Sequence, residues 1–303
     1  MWGIVPAAGQ GTRIQPLGFS KELLPVGARP DGATERPRAV AEYLLERMAL
    51  AGATKICFVI SPGKADIIEY FGASYNGVDL VYVVQPKAVG LCDALFRARP
   101  VVGRDEPVLI GLPDTIWFPR EALCELPDDR LSFLLFPVEH PEFFDAVSCD
   151  AEGRVREIQV KRPDAQSNWI WGAFKMPGHL FHALGDLWRA RGDEYVGSLV
   201  NAHLAQGGEA WGVKAGASYV DVGTLRGWRG AVSLLGDGDG GDASIGSTFP
   251  DTRSVIRDPD VSPRLDPGSP GLNPGSPSGE VAEERGGENV LGHSHVALRE
   301  AQA

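Results

Sequence analysis

Short apolar runs and helically spaced apolar positions alternate along the first three-quarters of the chain. Trp2 to Val5 is continuously apolar and reads as a short buried strand, with Pro6, which has no N–H to give, expected to end its ladder. Ala28 to Arg38 is polar and contains Pro30-Asp31-Gly32, so it reads as a loop. From Ala39 to Ala51, Val40, Leu44 and Met48 fall on one helical face. Lys55 to Ile60 is an apolar strand, Ile67, Ile68 and Phe71 mark a helix after Pro62-Gly63, and Leu80 to Val84 is another strand. This alternation implies parallel strands with helices on both faces. Gln85 to Ala94 opens a helix that runs to about Pro100, and Pro107 to Leu112 is a buried strand. Leu131–Val138, Ala146–Cys149 and Val155–Val160 are further strands, the last two joined by a turn at Asp150–Gly153. Pro177–Ala190 and Glu194–Gln206 read as helices, Ala210–Lys214 as a strand, and Leu225–Leu235 as a helix with Thr224 at its N-cap. The expected fold class is α/β, one domain over residues 1–235, with a mixed, mainly parallel sheet flanked by helices.

From Gly236 the pattern stops. Gly, Asp, Pro and Ser dominate, and Pro-Gly-Ser-Pro begins at Pro267 and again at Pro274. Such a stretch buries too little apolar surface to offset its ordering entropy, so 236–303 is expected to be a disordered tail. Asp237 to Asp242 is acid- and glycine-rich but lacks the register of a calcium loop, and reads as a solvated linker.

Composition narrows the function. The 303 residues are 43% hydrophobic and 23% charged, ordinary for a globular protein, and the formal net charge of −11 argues against a nucleic-acid-binding surface. An acidic chain that binds an anionic nucleotide needs a local basic pocket or a divalent metal. No apolar run reaches membrane-spanning length, and the N-terminus lacks the features of a signal peptide, so a cytoplasmic protein without a membrane partner is expected. Cys57, Cys92, Cys124 and Cys149 are widely spaced and read as reduced thiols. His179 and His182 lie within a helix and read as packing or surface groups. A homo-oligomer is compatible with the sequence but not specified by it.

The first 27 residues carry the densest chemistry. Ala7, Ala8, Gly9 and Gly11 follow the first strand, and small residues there let backbone N–H groups approach phosphate oxygens. A tight strand-to-helix turn would use the same residues. Arg13 and Lys21 add two positive charges, Arg suited to bidentate phosphate contact and Lys to acting as a point charge. The loop is neither a Walker A loop nor the dinucleotide fingerprint, since the Gly-Lys-Ser/Thr and the third glycine are missing. Gln85, just beyond a strand, has donors and an acceptor able to read a base edge, and Gly90 would let backbone approach the same base. Asp114 follows a central strand, where either a metal ligand or a turn residue fits. Asp221 precedes Gly223-Thr224 and fits either a metal ligand or a helix-start acid.

Gly9-Gln-Gly11-Thr-Arg13 followed by Lys21-Glu-Leu-Leu-Pro25-Val-Gly27 resembles the signature of the sugar-1-phosphate nucleotidyltransferases, or nucleoside-diphosphate-sugar pyrophosphorylases. The likeness is greatest to the glucose-1-phosphate uridylyl- and thymidylyltransferases. Gln85-Pro-Lys-Ala-Val-Gly90-Leu is similar to the family's pyrimidine-contacting segment, although Pro86 comes earlier than in some relatives. Leu112-Pro-Asp114 and Asp221-Val-Gly223-Thr224 match its two Mg²⁺-binding motifs, and Lys161-Arg162-Pro163 with Ser167-Asn168 and Gly172 looks like its acceptor segment.

The resemblance implies a Rossmann-like nucleotide-diphospho-sugar transferase fold. It also implies transfer of a nucleotidyl group from a nucleoside triphosphate, UTP or dTTP, to a sugar 1-phosphate, glucose 1-phosphate or a relative. Ala8, Gly9, Gly11, Thr12, Gln85 and Gly90 would bind nucleotide, Arg13 and Lys21 would be catalytic, and Asp114 and Asp221 would hold Mg²⁺. Asp145, Lys161, Arg162, Asn168 and Gly172 would bind the sugar phosphate. There the chain departs from its relatives: Lys161-Arg162 stands where the family has Glu-Lys, and Asp145 where it has Gly. The expectation is an altered acceptor pocket, the competing one a local alignment slip. Two other functions share the opening loop or the fold: a cytidylyltransferase for a non-sugar phosphate such as phosphocholine, and a non-catalytic nucleotide-sugar-binding regulator.

Overall fold

The structure, a computed structural model, describes residues 1–235; the expected tail, 236–303, lies outside the described residues. Strand β1 (Trp2–Pro6) leads through a long loop to the hairpin β2 (Pro25–Asp31) and β3 (Thr34–Ala39). Then follow α1 (Val40–Leu50), β4 (Lys55–Ile60), α2 (Ala65–Phe71), β5 (Ser74–Tyr75), β6 (Val78–Val84), α3 (Leu91–Arg97) and β7 (Val108–Gly111). Next come β8 (Thr115–Phe118), β9 (Ser132–Pro137), β10 (Asp145–Cys149), β11 (Val155–Val160) and β12 (Trp169–Met176). The chain continues through α4 (Gly178–Arg191), α5 (Val196–Ala205), β13 (Trp211–Val213), β14 (Ser218–Asp221) and α6 (Leu225–Leu234). Among the described residues no helix is long and apolar enough to cross a membrane.

The main sheet runs β11-β10-β12-β7-β1-β4-β6-β5, with β9 joined to β12 and β13 to β9. Its centre, β7-β1-β4-β6, is parallel. The additions through β12, β10, β11 and β5 are antiparallel, so the sheet is mixed, as expected. Both faces are covered. Ile4 and Val5, neighbours on β1, point into separate cores: Ile4 lies with Val59, Ile110, Phe133 and the buried sides of α3, α4 and α5, and Val5 with Phe58, Trp117, Phe136 and α1. Burial on both sides is why these strands read as continuous apolar runs.

The β1 ladder ends at Pro6, as expected, with Ala7 N donating to the Val59 carbonyl at 2.8 Å just beyond it. Two expectations change. Ala28 to Arg38 is not a loop but most of the β2–β3 hairpin, turning at Gly32 with φ +63°. The hairpin pairs only with itself, so residues 28–38 stay largely exposed, while Val26 and Ala39 at its base are buried; Arg29 Nε ties it to the buried Glu42 at 3.0 Å. Finally β8, which the apolar pattern did not mark, pairs antiparallel with β14 to form a separate two-stranded sheet.

Candidate active site

The β8–β14 ladder places one acid beside the other. Asp221 lies opposite Thr115, and Val222 N donates to the carbonyl of Asp114 at 2.8 Å. A Cβ on Gly223 would sit 2.8 Å from Asp114 Oδ2 and 2.9 Å from Asp221 Oδ1. The two carboxylates therefore flank the small space left by that glycine, their oxygens no more than about 6 Å apart; as ligands of one ion they would close to about 4 Å or less, twice an Mg–O distance of roughly 2.1 Å. Residues 107 positions apart, from 114 to 221, thus converge. Among the described residues no group of three or more His, Cys, Asp or Glu side chains forms a metal cage. An ion between these two acids would take its other ligands from phosphate and water, a coordination usual for Mg²⁺.

Both expected cations reach the same place. Lys21 Nζ donates to Asp114 Oδ2, and Arg13 Nη1 donates to Asp221 Oδ2 at 3.0 Å. Burial works against the charge on Lys21, but Asp114 and Glu22 outweigh it and hold the ammonium above its ordinary value. Burial also works against the charge on Asp114, and Lys21 outweighs it in turn, keeping the carboxyl below the usual carboxylate range. Arg13 is 63% exposed, so its guanidinium meets solvent as well as Asp221. Asp221 is oriented further by Gly223 N, which donates to its Oδ1 at 2.8 Å, and Thr224 Oγ1 accepts from Gly227 N as the N-cap of α6.

The loop after β1 is open on one side. Ala8 is buried, Gly9 and Thr12 are exposed, and the N–H groups of residues 8–13 take no part in backbone hydrogen bonding among the described residues. Gly11 has φ +66° and lies against Lys21, where an added Cβ would meet the lysine Cδ at 2.8 Å. Beneath the loop Lys64, unremarked in the sequence, donates to the Ala7 carbonyl at 2.7 Å and to both oxygens of the fully buried Glu22 at 2.8 and 2.7 Å. This pair joins the loop to the turn bearing Lys21.

Gln85 is buried, and its amide nitrogen donates to Asp93 Oδ2 at 2.8 Å and to the Gly90 carbonyl at 3.2 Å. Gly90 has φ +111° and faces Glu194, whose Cγ would lie 2.6 Å from an added Cβ. Its glycine is thus required by backbone conformation and by a protein neighbour.

The expected acceptor residues divide. Asp145 opens β10 opposite Val160, and Lys161, at φ +44°, follows directly on β11. Burial pushes the Asp145 carboxyl up, opposed in part by Lys161 and by the neighbouring Trp171 indole, whose Nε1 and the carboxyl Oδ1 are both buried just short of a formed hydrogen bond. Lys161 Nζ lies 4.7 Å from the centre of the Tyr195 ring. Arg162 is held by Asp164 at 2.8 Å and Glu157 at 3.3 Å. Asn168 is exposed, and its carbonyl accepts from Val138 N at 2.9 Å. At Gly172 an added Cβ would meet Phe136 and Tyr219 at 2.6 and 2.7 Å, so aromatic rings fill that side of the strand.

Tyr219 connects the two halves. Burial, and then the carboxylates of Asp221, Asp114 and Asp145, raise its phenol well above the ordinary value. Its hydroxyl therefore stays neutral, within electrostatic reach of all three acids. The signal for it was the strand period, since Tyr219 and Asp221 are two residues apart on β14 and share a face.

A family model described as nucleotidyl transferase matches residues 2–235. The chain is 27% identical over 247 residues to the glucose-1-phosphate thymidylyltransferase of Neisseria meningitidis, covering 78% of this chain and 82% of that protein. It is 27% identical over 241 residues to the glucose-1-phosphate thymidylyltransferase of Mycolicibacterium smegmatis, covering 74% and 78%. In fold it is similar to the UTP-bound UGPase from Acinetobacter baumannii, with a TM-score of 0.64 at 21% identity over 78% of this chain and 93% of that one.

Proposed function

Since the chain belongs to the nucleotidyl transferase family, we propose that it transfers a nucleotidyl group from UTP or dTTP to a sugar 1-phosphate, releasing pyrophosphate. The observation that carries this reading is the convergence of Asp114, Asp221, Lys21 and Arg13 beside a loop with free backbone N–H groups. One oxygen of the sugar phosphate attacks the α-phosphorus, a new P–O bond forms, and the bond to the β-phosphate breaks with its electron pair leaving on pyrophosphate. No side-chain nucleophile is needed, so catalysis rests on positioning and charge stabilisation. The N–H groups of residues 8–13 cradle the phosphates. Lys21 aligns the α-phosphate with the incoming phosphate, and Arg13, exposed and adjacent, steadies the departing β- and γ-phosphates. The hard oxygen pair and the cradle at Gly223 fit Mg²⁺, which, held by Asp114 and Asp221, supplies charge neutralisation on the triphosphate. Gln85 and Gly90 border the base.

The acceptor binds beside Tyr219, at Asp145 and Lys161. Asp145, at the start of β10 beside Lys161, accepts from a sugar hydroxyl. Arg162 reaches the sugar phosphate only by leaving Asp164, whereas Asn168 and Gly172 border the same strand. Glucose 1-phosphate or a relative with a hydroxyl placed toward Asp145 is the acceptor class.

Pyrophosphate release, measured with each nucleoside triphosphate against a panel of sugar 1-phosphates, tests the reading. Mg²⁺-dependent release with UTP or dTTP is expected, lost on Asp114→Asn. Absence of release with every sugar 1-phosphate, or release with phosphocholine and CTP instead, overturns it.

A further inference from the structure

Away from the acids, a cleft of ≈ 670 Å³ lies between α3, α4 and the end of β6. Arg97, Arg99 and Arg189 line it together with Asp93, Phe96 and Trp188. Arg99 is the unusual member. Its side chain is 10% exposed, its Nη2 donates to Asp186 Oδ1 at 2.7 Å, and its Nη1 is buried with no hydrogen-bond partner. A buried guanidinium N–H without an acceptor is costly and calls for a partner beyond the protein's own atoms, a water, an ion or a ligand.

The neighbouring helix is shaped to hold this arginine. An added Cβ on Gly185 would lie 2.7 Å from Arg99 Cδ and 2.9 Å from its Nε. Glycine is disfavoured inside a helix, and here it opens the groove in which the Arg99 side chain lies across α4. Arg97 pairs with Asp93 at 3.0 Å, and Arg189, 68% exposed, stands 3.9 Å from Asp186. Three guanidinium groups thus meet two carboxylates, and the stacked rings of Phe96 and Trp188, with centroids 5.4 Å apart, form an apolar wall.

We propose that this cleft binds a phosphate-bearing small molecule, with Arg97 and Arg189 closing on the phosphate, Arg99 turning its unpartnered, now buried Nη1 toward it, and the aromatic wall facing the rest of the molecule. Arginine forks suit phosphate, and charge-assisted bonds of this kind are strong. The site has a physical link to the proposed nucleotide site. Asp93 accepts both from Arg97 and from the Gln85 amide, the latter at 2.8 Å. A phosphate that draws Arg97 away leaves Asp93 to Gln85 and alters how that amide is held. This second part rests on the assignment of Gln85 to the base; the binding itself does not.

The test uses the full chain carrying Arg13→Ala and Lys21→Ala, which silences the triphosphate loop, with radiolabelled inorganic phosphate in equilibrium dialysis. One saturable equivalent is expected, displaced by a sugar phosphate and by a nucleoside monophosphate that share the phosphate group. Arg99→Met should weaken it roughly tenfold to a hundredfold, as loss of a charged hydrogen bond does. Arg189→Glu, at an exposed position that folding tolerates, should weaken it as well. No saturable equivalent, or affinity unchanged in both variants, overturns the site. For the link, phosphate added to otherwise unmodified protein should change KM for the nucleoside triphosphate, and Arg99→Met should abolish that change; a KM indifferent to phosphate overturns it. Because dialysis reads no turnover, failure of the transferase reading and failure of the cleft are told apart.

Discussion

Replacing Gly223 by alanine adds one methyl group between the two acids. The new Cβ would stand 2.8 Å from Asp114 Oδ2, 2.9 Å from Asp221 Oδ1 and 3.4 Å from Arg13 Nη2. Ordinary contact is near 3.5 Å, so each carboxylate must withdraw by roughly half an ångström or more. Magnesium tolerates little of this, because it demands near-octahedral ligands at roughly 2.0–2.1 Å. A misplacement of about 1 Å in a catalytic arrangement costs on the order of a hundredfold, so displacement of both ligands should lower kcat/KM by roughly ten- to a hundredfold. The apparent Mg²⁺ requirement should rise, with part of the loss recovered at high Mg²⁺. Gly223 is not among the residues of positive φ, so alanine strains no backbone there and, by restricting the unfolded chain, offsets some of the crowding by about 0.4–1 kcal/mol. Thermal unfolding should therefore change little while turnover falls. Titration of pyrophosphate release against Mg²⁺, beside a melting curve, separates the two effects. A variant whose Mg²⁺ dependence and turnover match the parent would refute the shared ion site.

Lys64→Met should cost about 3–5 kcal/mol in urea unfolding, because it strands the fully buried Glu22, and the double change Lys64→Met with Glu22→Gln should recover much of it; an unaltered midpoint for the single variant refutes the role of the pair. Burial raises the Asp145 carboxyl, so the folded state holds its proton more tightly than the unfolded one; that contribution to stability is present at low pH and lost as pH rises through the raised value. Asp145→Asn should accordingly flatten the fall in unfolding free energy between acid and neutral pH, and an unchanged pH profile contradicts it. Burial pushes the Cys57 and Cys92 thiols up to about 12, whereas Cys124 is exposed. Iodoacetamide at neutral pH should therefore label Cys124 first and reach the other two only on unfolding, as mass spectrometry of the peptides would show.

Most regular elements were legible because their signals are local. β4 and β7 are apolar runs since both their faces are covered, and α1 carries its core face at helical spacing. The hairpin β2–β3 was illegible for the converse reason: it packs little apolar surface, so nothing in its pattern separates paired strands from a loop. β8 is four residues long and bounded by Pro113 and Pro119; Thr115-Ile-Trp-Phe118 has strand-forming residues but no length over which a period shows.

Local sequence was enough to name the candidates: a small-residue loop, two cations near it, and two acids each poised at the end of a strand. Whether Asp114 was a turn residue or Asp221 a helix-start acid could not be settled position by position, because either role uses the same residue. Only the β8–β14 ladder decided that the two face one another, and only packing decided that Lys21 and Arg13 point at them. The same holds in reverse for Arg162, which the local motif assigned to a phosphate and the fold ties to Asp164 and Glu157. Tyr219, Gly223 and Lys64 owe their importance to neighbours remote in sequence. A chain's local pattern encodes which face of an element is buried; the register between distant strands, and the crowding that makes a methyl group too many, arise only when those faces are packed together.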